Sequence, residues 1–165
     1  MGTRSLIPPA AMDQLVPFRN ASNRLREARL KTGSTPEAVG EKVGLGVNWY
    51  RDLEGHDGDL SCNISLAHFS VLCGVVGITP KDLLFGPDAP TIRTEVSFTE
   101  LVDALKLKAD GLSAADLSEQ IGWEVKDLSM DPQELWNFTL DGVRDLCNFA
   151  EIPWTSLLPA LEPIP

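Results

Sequence analysis

Apolar residues recur along this chain at intervals of three and four, and glycines and prolines interrupt the pattern at short distances. Such spacing is typical of amphipathic α-helices, whereas the alternation typical of strands is weak throughout. The first periodic segment predicts a helix from Asn23 to Thr32, with Leu25 and Ala28 on one face. The pattern therefore predicts an all-α fold made of short helices.

The next two predicted helices are separated by a tight turn. Gly33 ends the first helix, and Thr35 followed by Pro36 begins the second, because Thr caps free amides and Pro is tolerated at the first helical position. The second helix ends at Gly44, where a three-residue turn leads to a third helical run over residues 47–54. Two short helices joined by such a glycine-containing turn are typical of a helix-turn-helix unit.

The remaining segments complete the predicted domain organisation. A polar loop over residues 55–63 precedes two further predicted helices, at 65–76 and 79–85. Residues 86–90, Gly-Pro-Asp-Ala-Pro, have few groups able to form a helix or a core, which indicates a linker. The prediction is a flexible arm at 1–18, a first domain at 19–86, a linker at 87–95 and a second domain at 96–161.

The second half of the sequence repeats the spacing of the first. The interval from Gly33 to Gly44 recurs as Gly111 to Gly122, an offset of 78 (111 minus 33) that also relates residues 43 and 47 to 121 and 125. Leu72-Cys73 recurs as Leu146-Cys147, an offset of 74, as do residues 78 and 83–84 at 152 and 157–158. Agreement at both ends favours a duplicated unit with a shorter central loop over chance spacing.

The two halves of the chain differ in net charge, and charge and composition together argue against some classes of function. Residues 1–90 carry 9 Lys and Arg against 10 Asp and Glu, a net of -1, whereas residues 91–165 carry 5 against 14, a net of -9. A total of -10 argues against indiscriminate coating of nucleic acid, because such binding depends on neutralising phosphates. No apolar run approaches the roughly 18 residues of a membrane span, and prolines interrupt residues 1–18, so a cytoplasmic location is expected.

The chain offers no persuasive arrangement for catalysis. The three cysteines are widely spaced, both histidines lie in the first half, and no metal-ligand spacing or Gly-rich phosphate loop occurs. The carboxylates occur singly on predicted helix surfaces. We therefore expect a protein that is not an enzyme and has no cofactor or metal.

Several short motifs lie between residues 23 and 86. They are Asn-Arg-Leu-Arg-Glu-Ala-Arg at 23–29, glycine at 33, Val-Gly-Leu-Gly at 43–46, Leu-Glu-Gly at 53–55 and Ile-Thr-Pro-Lys-Asp-Leu-Leu at 78–84. This stretch resembles the phage-repressor and Cro-like (XRE-type) helix-turn-helix family. The resemblance implies two tandem lambda-repressor-like domains of four to five short helices each, the second a degenerate copy.

The same resemblance implies roles for individual residues. Arg29, four residues before Gly33, is expected to pair with Glu54 at the end of the third helix and brace it, although a purely structural ion pair is the plainer interpretation. If the pair is buried, removing one partner strands a charge at a cost of roughly 3 to 5 kcal/mol.

The third helix is the one expected to enter the major groove of DNA, which is wide enough for a helix. Asn48 can bond an adenine edge, or it is an ordinary solvated polar residue; Arg51 can reach guanine or a phosphate; Trp49 more often packs than reads bases. Tyr50 is expected to turn inward. The residues expected at the DNA are Thr35, Val47, Asn48, Trp49, Arg51, Asp52, Arg24 and Lys42.

Several positions depart from the family pattern. Pro36 replaces the Gln that usually opens the second helix and contacts a phosphate, and Asp52 puts a negative charge on the face expected to meet DNA. The loop at 55–59, Gly-His-Asp-Gly-Asp, is acidic where the family is commonly basic, so its carboxylates repel the DNA backbone unless they point away.

The second unit departs further. The counterpart of the recognition helix, at 123–131, is acidic, and Pro132 cuts it short. This half also holds three of the four tryptophans, at 123, 136 and 154, which fill a core or, where exposed, suit a protein partner.

Two functional hypotheses follow from these features. The first is a sequence-specific DNA-binding regulator, whose first domain binds double-stranded DNA and whose second domain mediates homodimerisation or binds a protein partner. The alternative is a protein-interaction module, such as an antitoxin, an anti-repressor or a DNA mimic, that has kept the scaffold and lost DNA binding.

Overall fold

A computed structural model describes residues 18–163, and within that range the chain is helical with no β-strand. The prediction of an all-α fold is confirmed. The first half contains α1 (Ala21–Lys31), α2 (Pro36–Val43), α3 (Val47–Leu53), α4 (Asp59–Cys62), α5 (Leu66–Val76) and α6 (Pro80–Phe85), followed by a short 3-10 turn, Gly86–Asp88. The second half contains α7 (Phe98–Ala109), α8 (Ala114–Ile121), a 3-10 helix Pro132–Asn137, α9 (Leu140–Phe149) and a 3-10 helix Trp154–Leu161.

The turn between α2 and α3 is set by local chemistry. The Thr35 hydroxyl accepts a hydrogen bond from the backbone N–H of Ala38 and so caps α2, while Gly44 ends the helix at φ 81°, a conformation that favours glycine. A Cβ added at Gly40 would lie 3.0 Å from the carbonyl oxygen of Leu45. The absence of a side chain at Gly40 therefore lets the turn fold back closely onto α2.

The helices of both halves contribute to one continuous hydrophobic core. Phe18, the last residue of the predicted arm, is 8% exposed, and its ring centroid lies 5.9 Å from that of Trp154 in the second half. Residues 1–17, which make up the rest of that arm, lie outside the described residues. The two predicted domains thus touch extensively, and the boundary between them at 87–95 stays a prediction.

The segment expected to be the second recognition helix is not helical. Gly122 ends α8 at φ 94°, and the Val125 N–H then donates to the Ser118 hydroxyl at 2.9 Å. The carboxylates of Asp127 and Asp131 accept backbone N–H groups two residues further on. Because side chains supply these hydrogen bonds locally, the backbone here does not need a helical ladder, and the expectation of a helix at 123–131 is wrong.

One further helix prediction, in the first half, needs correction. The polar loop predicted at 55–63 contains the one-turn helix α4, so the first half forms six α-helices within residues 18–90 instead of the four to five expected. In the second half, two of the elements are 3-10 helices, one of which contains Pro159, a residue that cannot donate a backbone hydrogen bond.

Among the described residues, no single helix has the length and apolar content to cross a membrane. One bent pair, Leu66–Val76 with Pro80–Asp88, meets those requirements together, with a bend of 92° between its two members.

Candidate nucleic-acid interface

The helix α3 is amphipathic, with one face in the core and the other in solvent. Tyr50 and Leu53 are fully buried, which confirms that Tyr50 turns inward. Trp49 is 48% exposed, Val47 is half-buried, and the remaining candidates on this helix, Asn48, Arg51 and Asp52, are exposed. The structure therefore presents on one short helix five of the eight residues expected at the DNA.

The C-terminal end of α3 is attached to α1 by a buried ion pair. Arg29 donates from Nε to Glu54 Oε1 at 2.5 Å and from Nη2 to Oε2 at 3.0 Å, which is a bidentate arrangement. The Tyr50 hydroxyl donates to the same carboxylate at 2.7 Å, and the carbonyl oxygen of Ser34 accepts from Arg29 Nη1. The pair and the tyrosine thus fix the orientation of α3 on α1.

The electrostatics of this network favour the charged forms of both partners. Burial by itself raises the pKa of Glu54, but hydrogen bonds from Arg29 and Tyr50 outweigh it and hold the pKa below its usual value. The hydrogen bond to Glu54 raises the pKa of Arg29, and burial raises that of Tyr50. The network is therefore a stable ionic brace at neutral pH.

An ion pair also joins the exposed faces of α2 and α3. Arg51 Nη2 lies 2.5 Å from Glu37 Oε1, and the side chains are 56% and 55% exposed. Lys42 lies exposed in the last turn of α2, and Thr35 lies at its first turn. The one arginine on α3 is therefore held by a carboxylate at the surface where DNA was expected.

Arg24 does not present its guanidinium as expected. It donates from Nε to the Leu83 carbonyl at 2.7 Å, from Nη2 to the Leu84 carbonyl at 2.6 Å and from Nη1 to the Arg19 carbonyl at 3.0 Å. Lys and Arg side chains commonly satisfy the free carbonyls at a helix C-terminus in this way. We therefore withdraw Arg24 from the interface, because its donors are used to join α1 to the end of α6.

The acidic loop after α3 contains a carboxylate with a structural role. Asp57 accepts hydrogen bonds from the Asn20 N–H at 2.8 Å, the Ser22 N–H at 3.0 Å and the Ser22 hydroxyl at 2.6 Å. These groups form the N-terminus of α1, so Asp57 acts as its cap from 35 residues away. Sequence spacing does not predict this role, because the donors and the acceptor are distant along the chain.

We expect Asp57→Ala to lower the free energy of unfolding by about 1 to 2 kcal/mol, the usual cost of losing a helix cap. Burial raises the pKa of Asp57, but the hydrogen bonds from Ser22 and Asn20 outweigh it and lower the pKa overall. Stability from this depressed pKa is present above the unfolded value of about 3.9 and is lost as the pH falls through the folded value. Urea unfolding at several pH values measures both effects.

Two controls define the result for Asp57. Asp57→Asn keeps an acceptor oxygen and should cost less than Asp57→Ala, whereas exposed Asp52→Ala should change stability by less than about 0.5 kcal/mol. Equal losses for Asp57→Ala and Asp52→Ala would contradict a capping role.

The described part of the chain contains no cluster of three or more His, Cys, Asp or Glu side chains able to hold a metal ion. Cys73 and Cys147 are buried, and burial raises the pKa of both thiols, that of Cys147 to about 12. These two cysteines therefore behave as core residues.

Comparison of the chain with protein-family models, with curated proteins and with solved structures finds no match. The case for a function therefore depends on the geometry of α2, α3 and the residues that they expose.

Proposed function

We propose that this protein is a sequence-specific DNA-binding transcriptional regulator of the phage-repressor type, with α3 as its recognition helix. The observation that carries the proposal is the division of α3 into two faces. Its inner face is buried and braced to α1 through the ion pair of Arg29 and Glu54, while its outer face carries Asn48, Trp49 and Arg51 in solvent. A rigid helix with polar groups on its free face suits the major groove.

The exposed residues have chemistry that can distinguish bases. The Asn48 amide can donate to and accept from an adenine edge, and the Arg51 guanidinium can donate two hydrogen bonds to guanine or contact a phosphate. Val47 and Trp49 supply apolar contact, while Thr35 and Lys42 at the two ends of α2 face the sugar-phosphate backbone. In this proposal Asp52 disfavours bases that present only acceptors.

In this proposal the second half is a degenerate lambda-repressor-like unit. It provides a surface for pairing with another helix-turn-helix unit and does not recognise bases. Its acidic exposed residues are unsuited to a polyanion, and they include Glu124, Asp127 and Asp131. The recurrence of helix bounds supports a duplicated origin, since α8 spans the residues 78 positions after those of α2.

The test is a fluorescence anisotropy titration of full-length protein against duplex DNA from the region upstream of its own gene. We expect binding that exceeds binding to a scrambled duplex and that weakens as salt rises, because phosphate contacts release counterions. The expected slope of log K against log salt is about -0.9 for each phosphate contact. Absence of binding to either duplex at low salt would overturn the proposal.

The ion pair between Glu37 and Arg51 gives a further prediction. We expect Glu37→Gln to strengthen DNA binding by up to about fivefold, because it releases the Arg51 guanidinium from an exposed pair worth at most about 1 kcal/mol. The same titration measures this change. Glu27→Gln, which removes an exposed charge from α1, is the matched control, and an equal gain in both variants would mean that only net charge matters.

A protein-interaction module is the second candidate, and one observation favours it. The surface of α2 and α3 carries three exposed carboxylates, of Glu37, Glu41 and Asp52, against two exposed cations, Lys42 and Arg51. This surface is therefore not positive overall. If the titration fails on all duplexes at low salt, this candidate replaces the first.

A further inference from the structure

The structure repeats the architecture of the first half in the second at fixed offsets. The helix α9 begins 74 residues after α5, at Leu140 against Leu66. Both helices have a hydroxyl cap immediately before them, since Ser65 and Thr139 each accept a hydrogen bond from the backbone N–H three residues later. The repeat is thus one of structure and not only of sequence spacing.

Equivalent residues of the two repeats meet each other. Ser65 and Thr139, which are related by the offset of 74, form an antiparallel bridge. Beside it, the Leu66 N–H donates to the Phe138 carbonyl at 2.8 Å. Antiparallel pairing of a residue with its own counterpart places a local two-fold axis between them.

A second pair of equivalent elements also lies against each other. The helix α6 (Pro80–Phe85) and the 3-10 helix Trp154–Leu161 are related by the same offset, and they pack together. Their aromatic rings stack, with centroids of Phe85 and Trp154 5.7 Å apart and planes inclined by 18°. In each of the two pairs an element lies against its own counterpart, which is the arrangement that a two-fold axis produces.

The contacts away from the axis are reciprocal. The helix α5 packs against the 3-10 helix Pro132–Asn137, and its counterpart α9 packs against α4. The helix α4 (Asp59–Cys62) lies 74 residues before positions 133–136, which belong to that 3-10 helix. Each of the two contacts is therefore the counterpart of the other. Reciprocity of this kind defines the isologous interface of a symmetric dimer.

We infer that the chain is an intrachain pseudo-dimer, in which the second half occupies the place that a second copy of the first half would take. The homodimer expected from the sequence is replaced by pairing within one chain. With the proposed DNA-binding function as its premise, the inference assigns to this protein a monomeric mode of binding and a single, asymmetric half-site.

The segment of the second half that corresponds to α3 has no helix and is acidic. Residues 125–131 stand 78 positions after α3 but form no helix, and Asp127 and Asp131 are exposed there. Carboxylates at that position repel a neighbouring phosphate backbone. Of these two equivalent positions α3 alone therefore remains to contact bases, and a palindromic operator offers one molecule no second contact.

Sedimentation and light scattering of the full chain test the pairing without DNA. We expect a mass of 18.0 kDa at every concentration from about 1 to about 100 micromolar. A concentration-dependent shift to twice that mass would overturn the inference, because a chain whose pairing surface is already covered by its own second half should stay a monomer.

A cysteine pair tests the local two-fold contact directly. The variant Ser65→Cys with Thr139→Cys, made in a Cys62→Ser background, should form an intrachain disulfide when oxidised glutathione is added. Ser65 and Thr139 face each other without hydrogen bonds between their own backbones. In an antiparallel pair of this kind the Cα atoms lie about 4.5 Å apart, which is within the range that a disulfide spans. We expect oxidised monomer on a non-reducing gel, and disulfide-linked dimer as the main product would contradict the inference. Each single cysteine variant serves as the control.

DNA stoichiometry separates this inference from the function on which it rests. A duplex with two inverted half-sites one helical turn apart should bind two molecules, each with an affinity within about twofold of that for a single half-site. Two molecules joined as a dimer would instead bind this duplex about 100-fold or more tightly than a single half-site. A strongly cooperative dimer on that duplex would sustain the proposed function and overturn the inference. A monomer that forms the disulfide but binds no duplex would sustain the pseudo-dimer and overturn DNA binding.

Discussion

We expect Arg29→Met to lower the free energy of unfolding by about 3 kcal/mol, which for a chain of this length lowers the melting temperature by about 6 to 12 °C. The Arg29 and Glu54 side chains are only 8% and 9% exposed, so the substitution leaves a carboxylate in the protein interior without its counterion. The Tyr50 hydroxyl still donates to that carboxylate, which places the cost at the lower end for a broken buried pair. Calorimetry or urea unfolding measures the loss.

Two controls separate the buried pair from a general effect of removing an arginine. Arg51→Met removes the arginine of the exposed pair with Glu37 and should cost less than about 1 kcal/mol. The double variant of Arg29→Met with Glu54→Met removes both buried charges and should recover much of the stability lost in the single variant. A loss in the double variant equal to the sum of the single losses would show that the two charges do not interact.

The pH dependence of the same variant gives an independent check. In the native protein the pKa of Glu54 is depressed, so its contribution is present above the unfolded pKa of about 4.3 and is lost as the pH falls through the folded value. In Arg29→Met the loss of the counterion should raise the pKa of this carboxyl, so that it takes up a proton at a higher pH than in the native protein. The difference in stability between the two proteins should therefore narrow as the pH falls from the folded-state pKa of the variant's carboxyl to that of the native protein.

The helices of the first half were predictable because their signals are local. Hydroxyl caps at Thr35 and Thr79, proline at the first helical position and glycine at Gly44 fix the ends of α2 and α6 within a few residues of the chain. Periodic apolar residues then determine which face is buried, as for Tyr50 in α3. Such features act over one or two turns and can be recognised without tertiary information.

The roles of Arg24 and Asp57 were not predictable from spacing. Arg24 caps a helix end about 60 residues further along the chain, and Asp57 caps one 35 residues earlier. A charged residue at the surface of a helix has the same local pattern whether it meets a phosphate or a backbone carbonyl. Only the fold that brings α1, α6 and the loop after α3 together decides between these partners.

The missing helix at 123–131 has a different physical cause. The apolar spacing of its counterpart α3 is partly preserved, since Val125 and Leu128 are buried. Side chains of Ser118 and Asp127 satisfy backbone groups of this segment locally, so a non-helical path costs little. Apolar periodicity reports burial, and burial alone did not determine backbone conformation here.

The largest effect on activity is expected from the two polar residues on the outer face of α3. Replacing both Asn48 and Arg51 with alanine should weaken binding to the specific duplex by about 100- to 1000-fold, because each base contact contributes about 1 to 3 kcal/mol. Both side chains are exposed, so the free energy of unfolding should change by less than about 0.5 kcal/mol apart from the weak pair with Glu37. Anisotropy and urea unfolding of the same preparation measure the two quantities.

The matched control for this variant is Asn137→Ala with Arg93→Ala, which makes the same chemical changes at exposed positions outside α3. A loss of affinity as large in this control as in the α3 variant would contradict the assignment of α3 as the recognition helix. It would indicate that net charge governs binding.

Arg51→Ala alone then decides which part of the DNA the guanidinium contacts. If Arg51 contacts a base, its loss weakens binding to the specific duplex more than to a scrambled one and leaves the salt slope unchanged. If it contacts a phosphate, both duplexes lose affinity equally and the slope falls by about 1. Because Glu37 holds the same guanidinium in the free protein, a base contact also predicts that Glu37→Gln increases specificity as well as affinity.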